Sequence, residues 1–151
     1  MNLELSQAIL SKSFADQDLT HANLPGRNFK GYDFRNACLC RTNLRGADLS
    51  GADFSGADLT GANLFAARLD GANLTAATLT DAVLERADLS RAQLDGAALR
   101  WTNCRHANFA EATLRSADLT NACLINANIN LQQLALAQTR GTLLPNGTRQ
   151  P

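Results

Sequence analysis

The chain has 151 residues, and fourteen basic side chains are matched by fourteen acidic ones for a formal net charge of zero. That length suits one domain, and the balance argues against a nucleic-acid partner, which normally calls for a basic excess or stripe. No apolar run approaches the roughly 18 residues of a membrane helix, and Met1 to Ser13 lacks the basic and apolar regions of a secretion signal, so no membrane partner is expected and the expected compartment is cytoplasmic.

Residues 1–13 form the first predicted element, made apolar by Leu3, Leu5, Ile9 and Leu10. Its use follows from what comes next. At every fifth position from Phe14 to Leu134, without insertion or deletion, stands a large apolar residue. Of these twenty-five centres only Cys104 is not Leu, Phe or Ile. Two residues before each centre, from Ala37 to Ala127, stands Ala, with Thr42 and Thr102 the exceptions. A fixed internal period marks a repeat architecture. Five residues fit neither regular element. On an α-helix they rotate about 500°, so successive centres drift round the cylinder; on a strand they point to opposite faces. The chain must therefore turn once per pentad to keep every centre inside. Bare ends of such a coil would expose core and unpaired edges, which assigns 1–13 to an N-terminal cap.

The first pentads are irregular. Lys12, Gln17, Arg27 and Tyr32 stand where later pentads carry Ala, and none suits a narrow interior. They predict a widened or partly open first coil with a corner at Pro25 and Gly26; Arg27, Lys30 and Tyr32 offer an alternative partner-binding end. The body is clearest from Ala47 to Leu64, which reads A-D-L-S-G, A-D-F-S-G, A-D-L-T-G, A-N-L. Glycines such as Gly51 and Gly61 fall two residues after a centre, where a corner needs backbone freedom. Asp or Asn directly before the centre can bond nearby backbone and hold the bend. At the far end, Asn130 and Gln133 match a capping box, predicting a short helix with Leu131 and Leu134 facing the last coil and Gly141 ending it. T-L-L-P-N-G-T from Thr142 to Thr148 reads as an apolar stub and a turn. The array thus spans 14–134, and 135–151 make a C-terminal cap and tail.

Tandem A-(D/N)-L-x-x over this length resembles the pentapeptide-repeat family. The resemblance implies an all-β solenoid, a right-handed quadrilateral parallel β-helix with four pentads per coil. The L-P-x-G tail is similar to those after arrays in cyanobacterial members. At an inter-strand spacing of about 4.8 Å, about six coils make a rod roughly 30 Å long. Thr20, Thr60, Thr80 and Thr120 would then share one face. Folding at that period gives four inward columns, led by Phe14, Leu19, Leu24 and Phe29.

Few residues are arranged for chemistry. Cys38 and Cys40 flank inward Leu39 and could ligate metal or act in redox chemistry, but no His or further Cys joins them; free thiols are expected. Cys104 faces inward and Cys123 outward, which opposes a bridge between them. His21 and His106 lie coils apart, no Ser-His-Asp grouping is implied, and a Leu-filled interior leaves no substrate cavity. No enzyme activity and no cofactor are expected.

The exterior departs from the repeat in one region. Arg86, Arg91, Arg100, Arg105 and Arg115 add positive charge, Trp101 and His106 replace the corner glycine, and Phe65, Val83 and Ile125 are outward and apolar. Trp and Arg are favoured at interfaces. Phe65, Val83, Arg86, Arg100, Trp101, Arg105, His106 and Ile125 are therefore the candidate contact surface of a protein-interaction module, as a monomer or an end-to-end dimer. The family supplies a rival, since some members resemble the DNA duplex and act on DNA gyrase. Those depend on acidic surfaces, and some on projecting loops; this chain is neutral and its array has no insertion.

Overall fold

The computed structural model describes residues 9–151. Leu3 and Leu5, on which the expected N-terminal cap chiefly rests, lie outside the described residues.

Each residue just before a centre pairs in parallel with the residue twenty positions on: Ser13 with Asp33, Asp18 with Cys38, Asn23 with Asn43, and so through to Asn108 with Asn128. Four pentads therefore complete each turn, and the pairing consists of single bridges rather than long strands. Around each bridge the amides climb and descend in register. Asp58 N donates to Ala37 O below at 3.0 Å, and Leu59 N donates to Thr78 O above at 2.7 Å.

From Gly31 to Asn126 every corner has one construction. The Ala amide donates back to the centre's carbonyl, as Ala62 N does to Leu59 O at 2.9 Å. Between them the residue two after the centre takes a left-handed φ, as a type II turn requires. Gly61 has φ 66°, but so do bulky residues comply, with Arg86 and Trp101 both at 59°. The residue before the centre locks the bend: Asp53 Oδ1 accepts from Ser55 N at 2.9 Å, and Asn73 Oδ1 from Thr75 N at 3.1 Å. The Asx positions in the sequence are thus turn acceptors.

The centres and their Ala partners fill the axis. Leu39, Leu59, Leu79, Leu99 and Leu119 form one unbroken buried column, each contributing about 1.5–3 kcal/mol of transfer free energy. Phe34 and Phe54 stack in the next with centroids 4.8 Å apart and planes 1° from parallel. The two departures from Ala within the array are buried as well, and Thr142 joins them further on. Thr42 and Thr142 donate their hydroxyls to the coil below, at Leu19 O and Leu119 O. Thr102 instead donates within its own coil, to Leu99 O.

The first coil is loosened, as the bulky residues at its Ala positions imply. Leu19 and Leu24 are only partly buried, and a cleft of about 290 Å³ opens between Ile9, Phe14, Leu24, Arg27, Phe29 and Tyr32. Residues 9–11 are helical, and Tyr32 Oη donates to Ile9 O at 3.2 Å.

The far end differs from expectation in three ways. The capping box forms, with Gln133 N donating to Asn130 Oδ1 and Asn130 N to Gln133 Oε1, both at 2.9 Å. The helix, however, is the single turn Leu131–Leu134, capped by Ala135 and not by Gly141. Leu134 is buried but Leu131 is 76% exposed, at the open rim of a cleft that Ile129, Leu134 and Leu144 also line. Finally, the coil register resumes past 134: Gln138 pairs with Asp118 and Leu143 with Cys123, with Gly141 (φ 70°) at a corner. Leu144 to Gly147 then turn, and Arg149 returns antiparallel to Leu143. No helix among the described residues is long and apolar enough to cross a membrane.

Candidate interaction surface

A pitch of twenty residues decides which exposed side chains meet. Positions separated by twenty stack in a column, whereas positions separated by five sit on successive sides. The sides are numbered by their first centres, Phe14, Leu19, Leu24 and Phe29.

The third side gathers most of the candidate residues. Phe65, Arg105 and Ile125 fall in one outward column, with Glu85 between the first two; Val83 belongs to the column just before the centres. Arg86 and His106 stack at the corner that leaves this side. Trp101 stands at the opposite corner, where the side begins, and is 61% exposed. Arg100 lies off it, on the second side, where its Nε pairs with Asp118 at 3.1 Å.

The arginine cluster read along the sequence accordingly disperses. Arg91 sits at the corner of the fourth side with its guanidinium on the Asp70 carboxylate at 2.6 Å. Arg115 is on the first side, its amide donating to Asp95 at 2.9 Å. The physical reason is the pitch, since steps of five or ten residues cross corners.

Three partners within the side were missed. Arg45 lays its guanidinium over the Phe65 ring, 4.3 Å from the centroid, an arrangement favourable for a cation over an aromatic face. Asn103 Nδ2 donates to Glu85 Oε2 at 3.1 Å, holding that carboxylate in place. The signal for Arg45 was present, since it stands one coil before Phe65.

The cysteines are free thiols in three settings. Cys38 is exposed and Cys40 half-buried on either side of Leu39. Burial, followed by the neighbouring Asp58, pushes the Cys40 thiol up, away from the thiolate that metal binding or attack requires. Among the described residues no three His, Cys, Asp or Glu side chains converge. Cys104 is fully buried, its thiol pushed up to about 12 by loss of solvent. His21 and His106 occupy different corner columns. The clefts with apolar walls lie at the rod ends: the one beside Ile9, and another between Ile129, Leu131, Leu134 and Leu144.

A family model described as pentapeptide repeats matches this chain in eight copies, over residues 13–49, 28–64, 67–103 and 92–130. A search of curated proteins finds no match. Among solved structures, a pentapeptide repeat protein from the cyanobacterium Cyanothece 51142 is 23% identical, covering 97% of each chain with a TM-score of 0.58. QnrB1, a plasmid-mediated fluoroquinolone resistance protein, is 21% identical over 89% of this chain and 80% of its own, with a TM-score of 0.61. These likenesses are likenesses of fold, and that fold is a right-handed β-helix.

Proposed function

The chain belongs to the pentapeptide-repeat family, and from that premise we propose that it is a non-enzymatic, cytoplasmic protein-interaction module, a solenoid of about six coils whose outward side chains meet a protein partner. The observation that carries this reading is the contrast between inside and outside. From Phe34 to Leu124 every centre is buried on the axis, while Phe65, Trp101, Arg105 and Ile125 stand at outward positions where the clearest pentads carry Ser, Thr or Gly, and Val83 stands where they carry Asp or Asn. Apolar and Arg side chains on an exposed flat side favour protein contact.

Action on DNA gyrase is the rival reading. Shape likeness to QnrB1 motivates it; a formal charge of zero and an array whose pentads run from Phe14 to Leu134 without insertion weigh against it. A supercoiling assay with purified gyrase separates the two. Inhibition or protection at stoichiometric protein would displace the present proposal. No effect, together with capture of a partner that Trp101→Ala and Phe65→Ser both weaken, would sustain it. A metal role for Cys38 and Cys40 would require bound metal in the purified protein, and a redox role a loss of their free thiols on mild oxidation.

A further inference from the structure

The charges are sorted by side although their sum is zero. Each of the other three sides carries four carboxylates among the described residues, Asp18, Asp58, Asp81 and Asp118 on the second, for instance; the third carries Glu85 alone. The fold does not demand this. Asp or Asn before a centre accepts from the turn, and on the third side this residue is a neutral amide wherever it bonds: Asn43, Asn63 and Asn103 accept from the amides of Arg45, Phe65 and Arg105 at 3.1–3.2 Å, as aspartates do elsewhere. Negative charge is therefore absent where it would have cost the turn nothing.

Arg45 rests on the Phe65 ring, but no carboxylate among the described residues neutralises the positive charge left there. The four ion pairs of the described residues, Arg35–Asp33, Arg68–Asp48, Arg91–Asp70 and Arg100–Asp118, all lie on other sides. Arg45, Arg86 and Arg105 engage no carboxylate among the described residues, and Glu85 is held by Asn103.

From this sorting we infer that the third side binds an acidic protein segment that carries an apolar anchor and lies along the rod. The inference rests on the interaction-module reading and names the partner's chemistry. Spacing adds detail. Arg45 and Arg105 are three coils apart, about 14 Å, which an extended chain spans in about four residues at roughly 3.3 Å each. Residues i, i+2 and i+4 of such a chain share a face. Acids at i and i+4 would meet the two arginines, and an apolar residue at i+2 would rest on Phe65, clear of Glu85. Interleaved apolar side chains favour a protein over a nucleic acid, whose phosphates would find no use for Phe65, Val83 or Ile125.

Fluorescence anisotropy tests this with labelled peptides of three Glu-Ser-Leu-Ser repeats, the Lys and Gln counterparts, and a single-stranded RNA of similar length. The full chain should bind the Glu peptide at least about tenfold more tightly than the Gln peptide, with affinity falling as salt is raised. Arg45→Glu/Arg105→Glu should reverse the preference toward the Lys peptide. Arg115→Glu, on the first side, should leave it unchanged, and circular dichroism confirms that each variant is folded. Equal affinity for Glu and Gln peptides, lost in Phe65→Ser, would overturn the acidic partner while keeping the interaction side. Tighter binding of the RNA would overturn the choice of a protein segment. Binding of no peptide, or binding indifferent to every third-side variant, would overturn both the inference and the reading beneath it.

Discussion

Cys104 is the one centre of the array that is not a large hydrocarbon, and replacing it tests how the axis is packed. Cys104→Leu restores the column of Leu24, Leu44, Leu64, Leu84 and Leu124. The obvious obstacle is Thr102, whose Oγ1 accepts from Cys104 Sγ at 3.3 Å. Two other coils show how Thr and Leu coexist. With Leu44 and Leu144 as centres, Thr42 and Thr142 donate to carbonyls of the coil below. Thr102 donates to Leu99 O, and its own amide is stretched to 3.4 Å from that same carbonyl, against 2.9 Å for Ala82 N to Leu79 O. In the variant the hydroxyl should turn to Leu79 O and the amide should shorten. Two added methylene equivalents contribute about 1.5 kcal/mol, less about 0.5–1 kcal/mol of leucine rotamer entropy. Relief of the stretched amide adds a little, so the net expectation is about 1 kcal/mol of stabilisation. Urea unfolding should show this as a higher midpoint at unchanged slope. A loss of stability would mean that the axis is narrower at this coil than at its neighbours, and the packing argument would be wrong.

The remaining expectations are simpler. Leu79→Asp puts a charge on the fully buried axis and should abolish the cooperative unfolding transition seen by circular dichroism; a folded, equally stable variant would contradict the solid core. A Cβ at Gly141 (φ 70°) would strike Asn121 Oδ1, whereas one at Gly71 (φ 65°) would meet nothing within 4 Å. Gly71→Ala should therefore cost about 1–2 kcal/mol from the left-handed backbone alone, and Gly141→Ala clearly more, as read by thermal unfolding. Thiol titration should find Cys38 accessible in the native state and Cys104 reactive only after unfolding. For acid stability the sign is definite. Hydrogen bonds and charge from Arg35 hold Asp33 below 3.8, and Ser50 does the same for Asp48. At Asp58 burial raises the value, and the hydroxyl and amide of Thr60 more than reverse it. Lowered carboxyls add stability that is present above pH 3.8 and lost as pH falls through their folded values. The melting temperature should thus drop as pH falls below about 4, and less steeply in Asp58→Asn; a flat profile would refute the assignment.

Most of the fold was legible because the period is exact over twenty-five centres, and each centre has only one way to reach the interior. Ala and Asx positions followed from the same period. The far end was harder, since Thr139 at a centre position breaks the apolar pattern before Gly141, Thr142 and Leu144 resume the register that the pairing of Gln138 and Leu143 continues beyond Leu134. The surface was legible in part. Phe65 and Ile125 stood out as apolar residues at polar positions. The dispersal of the arginines, and the place of Arg45 over Phe65, appear only after the chain is wound, because proximity outside depends on multiples of twenty and not of five.

Continuous stacking carries a hazard, because the last turn of a helical staircase is a ready step for another molecule. The returning tail removes that step. Arg149 lies against Leu143, Gly141 N donates to Gln150 O, Gln150 N to Thr142 O, and Leu144 N to Thr148 O. The main chain that would have seated a further molecule is thus turned back upon itself, and running antiparallel it offers no parallel template. Such a tail is expected to oppose end-to-end polymerisation. Truncation after Leu144 should convert the protein into filaments or longer end-joined species in sedimentation velocity, and monodisperse behaviour of the truncated chain would show that the terminator lies elsewhere.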